Sequence, residues 1–282
     1  MMRRAGFTLI ELMISLAITG VVLGAAYRLL VANQRFYRSQ SVISTVQTNV
    51  REAMLILSGE LREVSGTGGD IHLMMDTVMT INAMRTLGFV CAVTDQVNGR
   101  ITIEDASTFA YRAIDVTRDS VFVFREGNSK QASDDEWMRA QVTGTASNNC
   151  TSGSAGTLIR LGPLVGHAFS DLDSVTEGAP VRVFETITYR LFEDNGEWWL
   201  GVSNFVGGAW TATSAVAGPL RPRDGLLFEY LDTNGNATAT AADVRAVRLT
   251  VRGLSTTPIM VAGRPTGNYA DSVTVTVALR NN

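Results

Sequence analysis

The sequence has little of several residue types that mark particular classes of protein. Its 282 residues include only two cysteines and two histidines, which excludes a disulfide-dense scaffold. No H-E-x-x-H, G-x-S-x-G or P-loop motif is present. The net charge is −3, the sequence pI is near 5.5 and no basic block occurs, so we expect no nucleic-acid partner. A hydrophobic content of 45% excludes disorder as the main state.

Long apolar runs are also scarce, and only one is long enough to cross a membrane. It extends from Phe7 to Ala26 and carries a single charge, Glu11. As a helix it would span about 30 Å, the thickness of a bilayer core. Arg3 and Arg4 precede it, so the positive-inside rule predicts a cytoplasmic start and an exported remainder. An ordinary signal peptide fits poorly, because no A-x-A-like cleavage site follows the run.

The residues around Glu11 carry a more specific signal. The segment Gly6-Phe7-Thr8-Leu9-Ile10-Glu11, with its basic leader and apolar continuation, resembles the prepilin processing motif of type IV pilins and type II secretion pseudopilins. The resemblance implies that a prepilin peptidase removes residues 1–6 by cutting after Gly6 and then methylates the amine of Phe7. Further implied partners are other minor and major pilins, the inner-membrane assembly platform and membrane lipid.

Glu11 is predicted to act in assembly. A carboxylate inside a membrane is unfavourable unless it is paired, which makes an intramembrane acid a candidate functional residue. The family resemblance implies that the Phe7 amine of an incoming subunit meets the Glu11 carboxylate of a neighbour. Such pairing would relieve the burial of both charges and fix the register between subunits.

The helical pattern continues beyond the apolar run. No proline occurs before Pro163, and apolar residues recur in steps of three and four that form one helical stripe: Ile43, Val46, Val50, Met54, Leu57, Leu61 and Val64. Glu60 and other charged residues lie largely off this stripe. The pattern predicts one helix over residues 7–64, with residues 7–30 in the membrane and an exported head over residues 70–282.

Gly20 and Gly24 form a GxxxG pair within the apolar run. Small residues allow helices to approach closely in lipid, so the pair is a candidate packing surface between subunits. The alternative is that glycine is simply common in membrane helices.

After about Asp70 the sequence changes to short runs with alternating apolar and polar residues, separated by turn signals. The alternation is clearest at 247–251 and 273–279, and Asp194-Asn195-Gly196 predicts a hairpin. The polar stretch 129–154 is predicted to be a loop between strands. Together these patterns predict an α+β, pilin-like fold in which a long helix, membrane-spanning and then amphipathic, packs on a large antiparallel β head.

The second half of the head resembles the PilW-type minor pilins and, next, the J-type pseudopilins of type II secretion. The segments 188–191, 225–230 and 277–281 carry this resemblance. It implies a structural subunit, not an enzyme, that helps to start assembly of a type IV pilus or sits near its tip. A type II secretion pseudopilin is the alternative within the class. A membrane-anchored ligand-binding or hydrolytic ectodomain is the alternative of another class, and a head pocket with convergent polar groups would favour it.

The two cysteines of the head suggest a disulfide. Cys91 and Cys150 would lie outside the cytoplasm, where two cysteines most simply pair. Closing that loop of about 60 residues would stabilise the fold by about 4 kcal/mol on chain-entropy grounds. Two separate thiols are the alternative.

A possible calcium loop follows residue 231. Four residues match ligand positions 1, 3, 5 and 12 of such a loop: Asp232, Asn234, Asn236 and Asp243. Ala237 stands where the motif has glycine, and a hairpin turn rich in Asn, Asp and Gly is the alternative interpretation. We expect no cofactor, with calcium as the one candidate metal.

Overall fold

A computed structural model describes residues 8–127, 135–260 and 266–280. In these ranges one long helix, α1 (Leu9–Glu63), precedes fourteen strands. The strands are β1 (Ile71–Met74), β2 (Val78–Asp95), β3 (Arg100–Glu104), β4 (Phe109–Ala110), β5 (Asp119–Arg125), β6 (Glu136–Asn149), β7 (Ala155–Leu161), β8 (Pro180–Asp194), β9 (Glu197–Val206), β10 (Ala209–Trp210), β11 (Ser214–Leu220), β12 (Leu226–Leu231), β13 (Ala246–Leu254) and β14 (Ala270–Ala278). The predicted α+β fold of a long helix on an antiparallel β head is confirmed.

Helix α1 is continuous over 55 residues, a length of about 83 Å. The apolar window in its amino-terminal half is uncovered by the described residues, whereas its second half buries one face: Ser39, Val46, Val50, Ala53, Met54, Leu57 and Leu61. Five of these residues belong to the predicted apolar stripe. The helix ends at Val64, where the backbone becomes extended and the glycine-rich turn follows.

The first core lies between the second half of α1 and the sheet formed by β11, β13 and β14. Strand β13 runs beside β14 over nine residue pairs without a register shift. Its Gly253 lies directly under the helix, since a Cβ added there would be 2.7 Å from Val50 Cγ2 and 2.8 Å from Val46 Cγ1. The absence of a side chain at Gly253 therefore allows the helix to approach the sheet closely.

The second core lies inside a closed ring of six strands. The ring follows the order β2, β3, β7, β6, β5 and β8, and returns to β2 because β2 also pairs with β8. All six pairings are antiparallel. Inward-facing residues such as Ile101, Val121, Met138, Ile159 and Val183 fill the interior. Closure of the ring leaves these strands few free edges.

The predicted loop over residues 129–154 is wrong for most of its length. Residues 136–149 form strand β6, which pairs with β5 on one side and β7 on the other. Met138, Ala140 and Val142 point into the ring, and the polar residues after them continue the strand beside β7. Residues 129–134 lie outside the described ranges. Polar composition wrongly predicted a loop here. Strands on both sides supply hydrogen-bond partners for the backbone of β6, and these bonds do not depend on the side chains.

Candidate functional site: the amino-terminal helix and its junction with the head

Thr8 and Glu11 together form a capping box at the start of α1. The Thr8 amide and hydroxyl both donate to Glu11 Oε2 at 3.0 Å, and the Glu11 amide donates to Thr8 Oγ1 at 3.4 Å. The box begins the helix by satisfying amides that have no partner within it. Gly6 and Phe7, the predicted processing residues, lie outside the described residues.

The surface that follows Glu11 is apolar and exposed. Within the described ranges, α1 is the one helix long and apolar enough to cross a membrane, and its apolar window is entirely uncovered. Gly20 and Gly24 each have open space where a Cβ would stand, so the small-residue face is free in the single chain. The geometry leaves this half of the helix available for lipid or for other helices.

A cluster of ion pairs joins the second half of α1 to the head. Arg85 of β2 donates from Nη1 and Nη2 to both carboxylate oxygens of Glu60, at 3.1 and 3.0 Å, and from Nε to Glu185 Oε1 of β8 at 2.5 Å. Burial alone would lower the pKa of Arg85, but the two carboxylates outweigh it and the pKa is raised. The guanidinium therefore stays charged and joins the helix to two adjacent strands.

Other charged residues line the same groove of about 580 Å³ between helix and head. Arg112 donates to both oxygens of buried Asp119, at 2.6 and 2.8 Å. Arg118 Nε donates to Asp115 at 2.7 Å. Hydrogen bonds from Thr117 and Arg118 lower the pKa of Asp115 to about 2. Arg112 and Arg118 are therefore each paired with a carboxylate of the head, beside the contact between the helix and the head.

The sequence analysis did not predict the ion cluster between α1 and the head. Glu60 was expected to lie off the buried stripe, yet it is partly buried and bonded to Arg85. Arg85 lies in strand β2, which showed no clear alternation. The one available signal was that Glu60 lies beside Leu61 and one turn from Leu57, at the margin of the stripe, where a carboxylate can reach the sheet.

Cys91 and Cys150 are joined as a disulfide with a Cα–Cα distance of 5.1 Å. Cys91 belongs to β2 and Cys150 follows β6, so the bond links two strands of the ring. Thr151 extends the contact, since its amide and hydroxyl both donate to the Cys91 carbonyl, at 3.3 and 3.2 Å.

The calcium candidates occupy a tight turn after β12. Asp232 Oδ1 accepts the amides of Asn234 and Asn236 at 2.8 and 2.9 Å, and backbone hydrogen bonds lower the pKa of Asp232. Asp243 belongs to a separate 3₁₀ turn, Ala241–Asp243. Nowhere in the described ranges do three or more His, Cys, Asp or Glu residues form a group that could hold a metal ion. The observed contacts of Asp232 therefore serve the turn.

Comparison with known proteins bears on the amino terminus. A family model described as the prokaryotic N-terminal methylation motif matches residues 1–27. This match supports assignment of the chain to the type IV pilin and pseudopilin superfamily, as the Gly6–Glu11 segment predicted. The motif implies processing by a prepilin peptidase and a role in pilin-type assembly, and the apolar helix fits a membrane-anchored precursor. No curated protein and no solved structure matches the chain.

Proposed function

We propose that the chain is a minor pilin of a type IV pilus, which helps to start assembly or lies near the filament tip. The observation that carries the proposal is the division of α1 into two halves. The first half is apolar, uncovered and carries one carboxylate, while the second is buried against a large head. A surface that the chain cannot cover by itself is suited first to lipid and then to the helices of neighbouring subunits.

Glu11 supplies the proposed register signal. In the single chain its carboxylate is already bound by the Thr8 amide and hydroxyl, which reduces the penalty of holding it in lipid. Cleavage after Gly6 would create a cationic amine on Phe7. The amine of one subunit could then pair with Glu11 of another, and this pair would form only when the two helices are correctly aligned.

The arrangement of charged groups in the head favours a structural role over a hydrolytic one. Among the described residues, each arginine of the groove between helix and head is ion-paired with a carboxylate. Such pairs suit a structural junction better than proton transfer, since arginine stays protonated in proteins. A J-type pseudopilin is the second candidate, favoured by the resemblance of the second half of the head. Co-purification with pilus subunits supports the first proposal, and co-purification with other pseudopilins supports the second.

The proposal is tested first by the mature amino terminus. Mass spectrometry should show a chain of 276 residues (282 − 6) that begins with N-methylated Phe7. Gly6→Leu should leave the precursor uncut, because a bulky residue at the cleavage position obstructs the peptidase. Ala5→Leu, one residue earlier, is the matched control and should be processed. An amino terminus at Met1, or one after Ala26, would overturn the pilin assignment.

A further inference from the structure

The described parts of the connection between β13 and β14, residues 255–260 and 266–269, contact α1 at two levels. Near the strands, Gln47 Nε2 donates to the Tyr269 hydroxyl at 3.5 Å. At the far end, Ser39 Oγ donates to the Met260 carbonyl at 3.1 Å. Ser39 precedes Gln47 by eight residues, which is about 12 Å of helix rise. Met260 therefore lies about two helical turns closer to the first half of α1 than Tyr269 does.

At that level the protein presents a cluster of exposed apolar side chains. Phe36 is 60% exposed, Tyr37 is 72% exposed and Met260 is 60% exposed. We call these three residues the membrane-proximal patch. A recess of about 460 Å³ lies between Met260 and the helix face that bears Phe36. Aromatic residues that combine an apolar body with a polar tip, as Tyr37 does, favour the membrane–water interface.

The charged residues of α1 on either side of the patch are all positive. From Leu12 to Arg51 the sequence contains no aspartate or glutamate, and its charged residues are four arginines: Arg28, Arg35, Arg38 and Arg51. Arg35 and Arg38 are exposed on the same turns of helix as the patch. Arginines near a bilayer surface are attracted to anionic headgroups, and aromatic residues favour the same interface.

The distance along the helix agrees with this partner. Phe36 lies six residues beyond Leu30, the end of the predicted membrane segment, which corresponds to about 9 Å. The headgroup layer on each side of a bilayer core is about 5–8 Å thick. The backbone of Phe36 and Tyr37 thus lies just beyond that layer. Helix side chains slant toward the helix amino terminus, so both rings can reach back to the headgroups.

We propose that the membrane-proximal patch binds the headgroup layer of an anionic bilayer and holds the head against the membrane before assembly. This inference rests on the proposed membrane anchoring of α1 and goes beyond it, because an anchored helix does not by itself require the head to touch lipid. The lipid contact would limit the directions in which the head can face before the helix leaves the membrane.

The test uses the full chain reconstituted in vesicles. Met260→Cys introduces one free thiol, since the two native cysteines are joined as a disulfide, and this thiol is labelled with bimane. Nitroxide-headgroup lipid in phosphatidylglycerol–phosphatidylcholine vesicles should quench most of the bimane emission. Leu55→Cys is the matched control, because Leu55 is 71% exposed on the same helix but about 28 Å beyond Phe36. Its label should stay bright.

The charge contribution is tested in the same assay. Arg35→Gln with Arg38→Gln, or vesicles of phosphatidylcholine alone, should reduce the quenching at residue 260 several-fold. A Met260→Cys probe that stays bright in an inserted chain would overturn the inference. So would a probe shielded only when other pilus subunits are present, which would assign the recess to a neighbouring helix. Extraction of the chain by alkaline carbonate would instead overturn the membrane anchoring itself.

Discussion

At the scale of single residues, Glu11 and Arg85 show two ways in which a charge is accommodated. Arg85 is ion-paired with Glu60 and Glu185 of its own chain. Its charge is therefore compensated once the head has folded. Among the described residues, Glu11 has only the Thr8 capping contacts, on an otherwise exposed apolar surface. Its carboxylate can therefore exchange the Thr8 bonds for a stronger cationic partner, which the single chain does not supply in its described part.

Glu11→Ala should be inserted in the membrane, cut after Gly6 and folded, but should fail to join filaments or initiation complexes. The reason is that an incoming Phe7 amine would be left unpaired in lipid. Glu11→Asp should retain part of the activity, since it stays charged but is one methylene shorter. Ser15→Ala, one helical turn away, is the control and should assemble normally. Co-purification of each processed variant with the other subunits is the measurement.

Normal incorporation of cleaved Glu11→Ala would show that the carboxylate is not an assembly determinant in this protein. Head contacts could carry a minor subunit into the complex without help from Glu11. For that reason a chain ending near Val64 belongs in the same assay, since it isolates the contribution of the helix.

Among the elements of the fold, the position of α1 on the sheet depends on the absence of a side chain at Gly253. Val46 and Val50 occupy the space that a side chain at this position of β13 would need. Gly59, in the same helix, is in the opposite situation, because it is exposed and a Cβ there would meet nothing within 4 Å. The same substitution at these two glycines should therefore have opposite effects.

Gly253→Ala should lower the free energy of unfolding by about 1–3 kcal/mol, because the new methyl group would force the helix away from the sheet. Gly59→Ala should raise it by about 1 kcal/mol, because alanine has the better helix propensity. Denaturant unfolding of the mature protein in detergent measures both. A Gly253→Ala protein as stable as the wild type would contradict the close approach of α1 to β13.

At the scale of the whole molecule, the head consists of a six-stranded ring and a helix-covered sheet that share β2 and β8. Each part has its own core. The two long strands continue from one core into the other, so they join the helix-covered sheet to the ring. The Cys91–Cys150 disulfide lies at the end of the ring, far along β2 from the ion cluster at Arg85.

Non-reducing peptide mapping should recover the Cys91–Cys150 cross-link. Replacing both cysteines by serine should lower the free energy of unfolding by about 4 kcal/mol, the chain-entropy value for a loop of about this length, since 59 residues separate the two positions. Reductant should destabilise the native protein and leave the double serine variant unchanged. Quantitative alkylation of both thiols in the native exported protein would contradict the prediction.

Features that depend on neighbours along the chain could be predicted from the sequence alone. The Gly6–Glu11 motif, the apolar run, the stripe from Val46 to Leu61 and the alternation at 247–251 are all local patterns. A helix repeats every 3.6 residues and a strand every two, so each pattern specifies its own element without reference to the rest of the fold. The predicted antiparallel head followed from these elements and the turns between them.

How those elements meet depends on contacts between residues that are far apart in the sequence. Closure of the ring depends on β2 pairing with β8, and Arg85 finds Glu60 and Glu185 at separations of 25 and 100 residues. Strand β6 exists because two neighbours pair with its polar backbone, and Met260 reaches Ser39 across 221 residues. Such contacts leave no periodic trace in the sequence, because they are selected by chain closure and by the packing of distant surfaces.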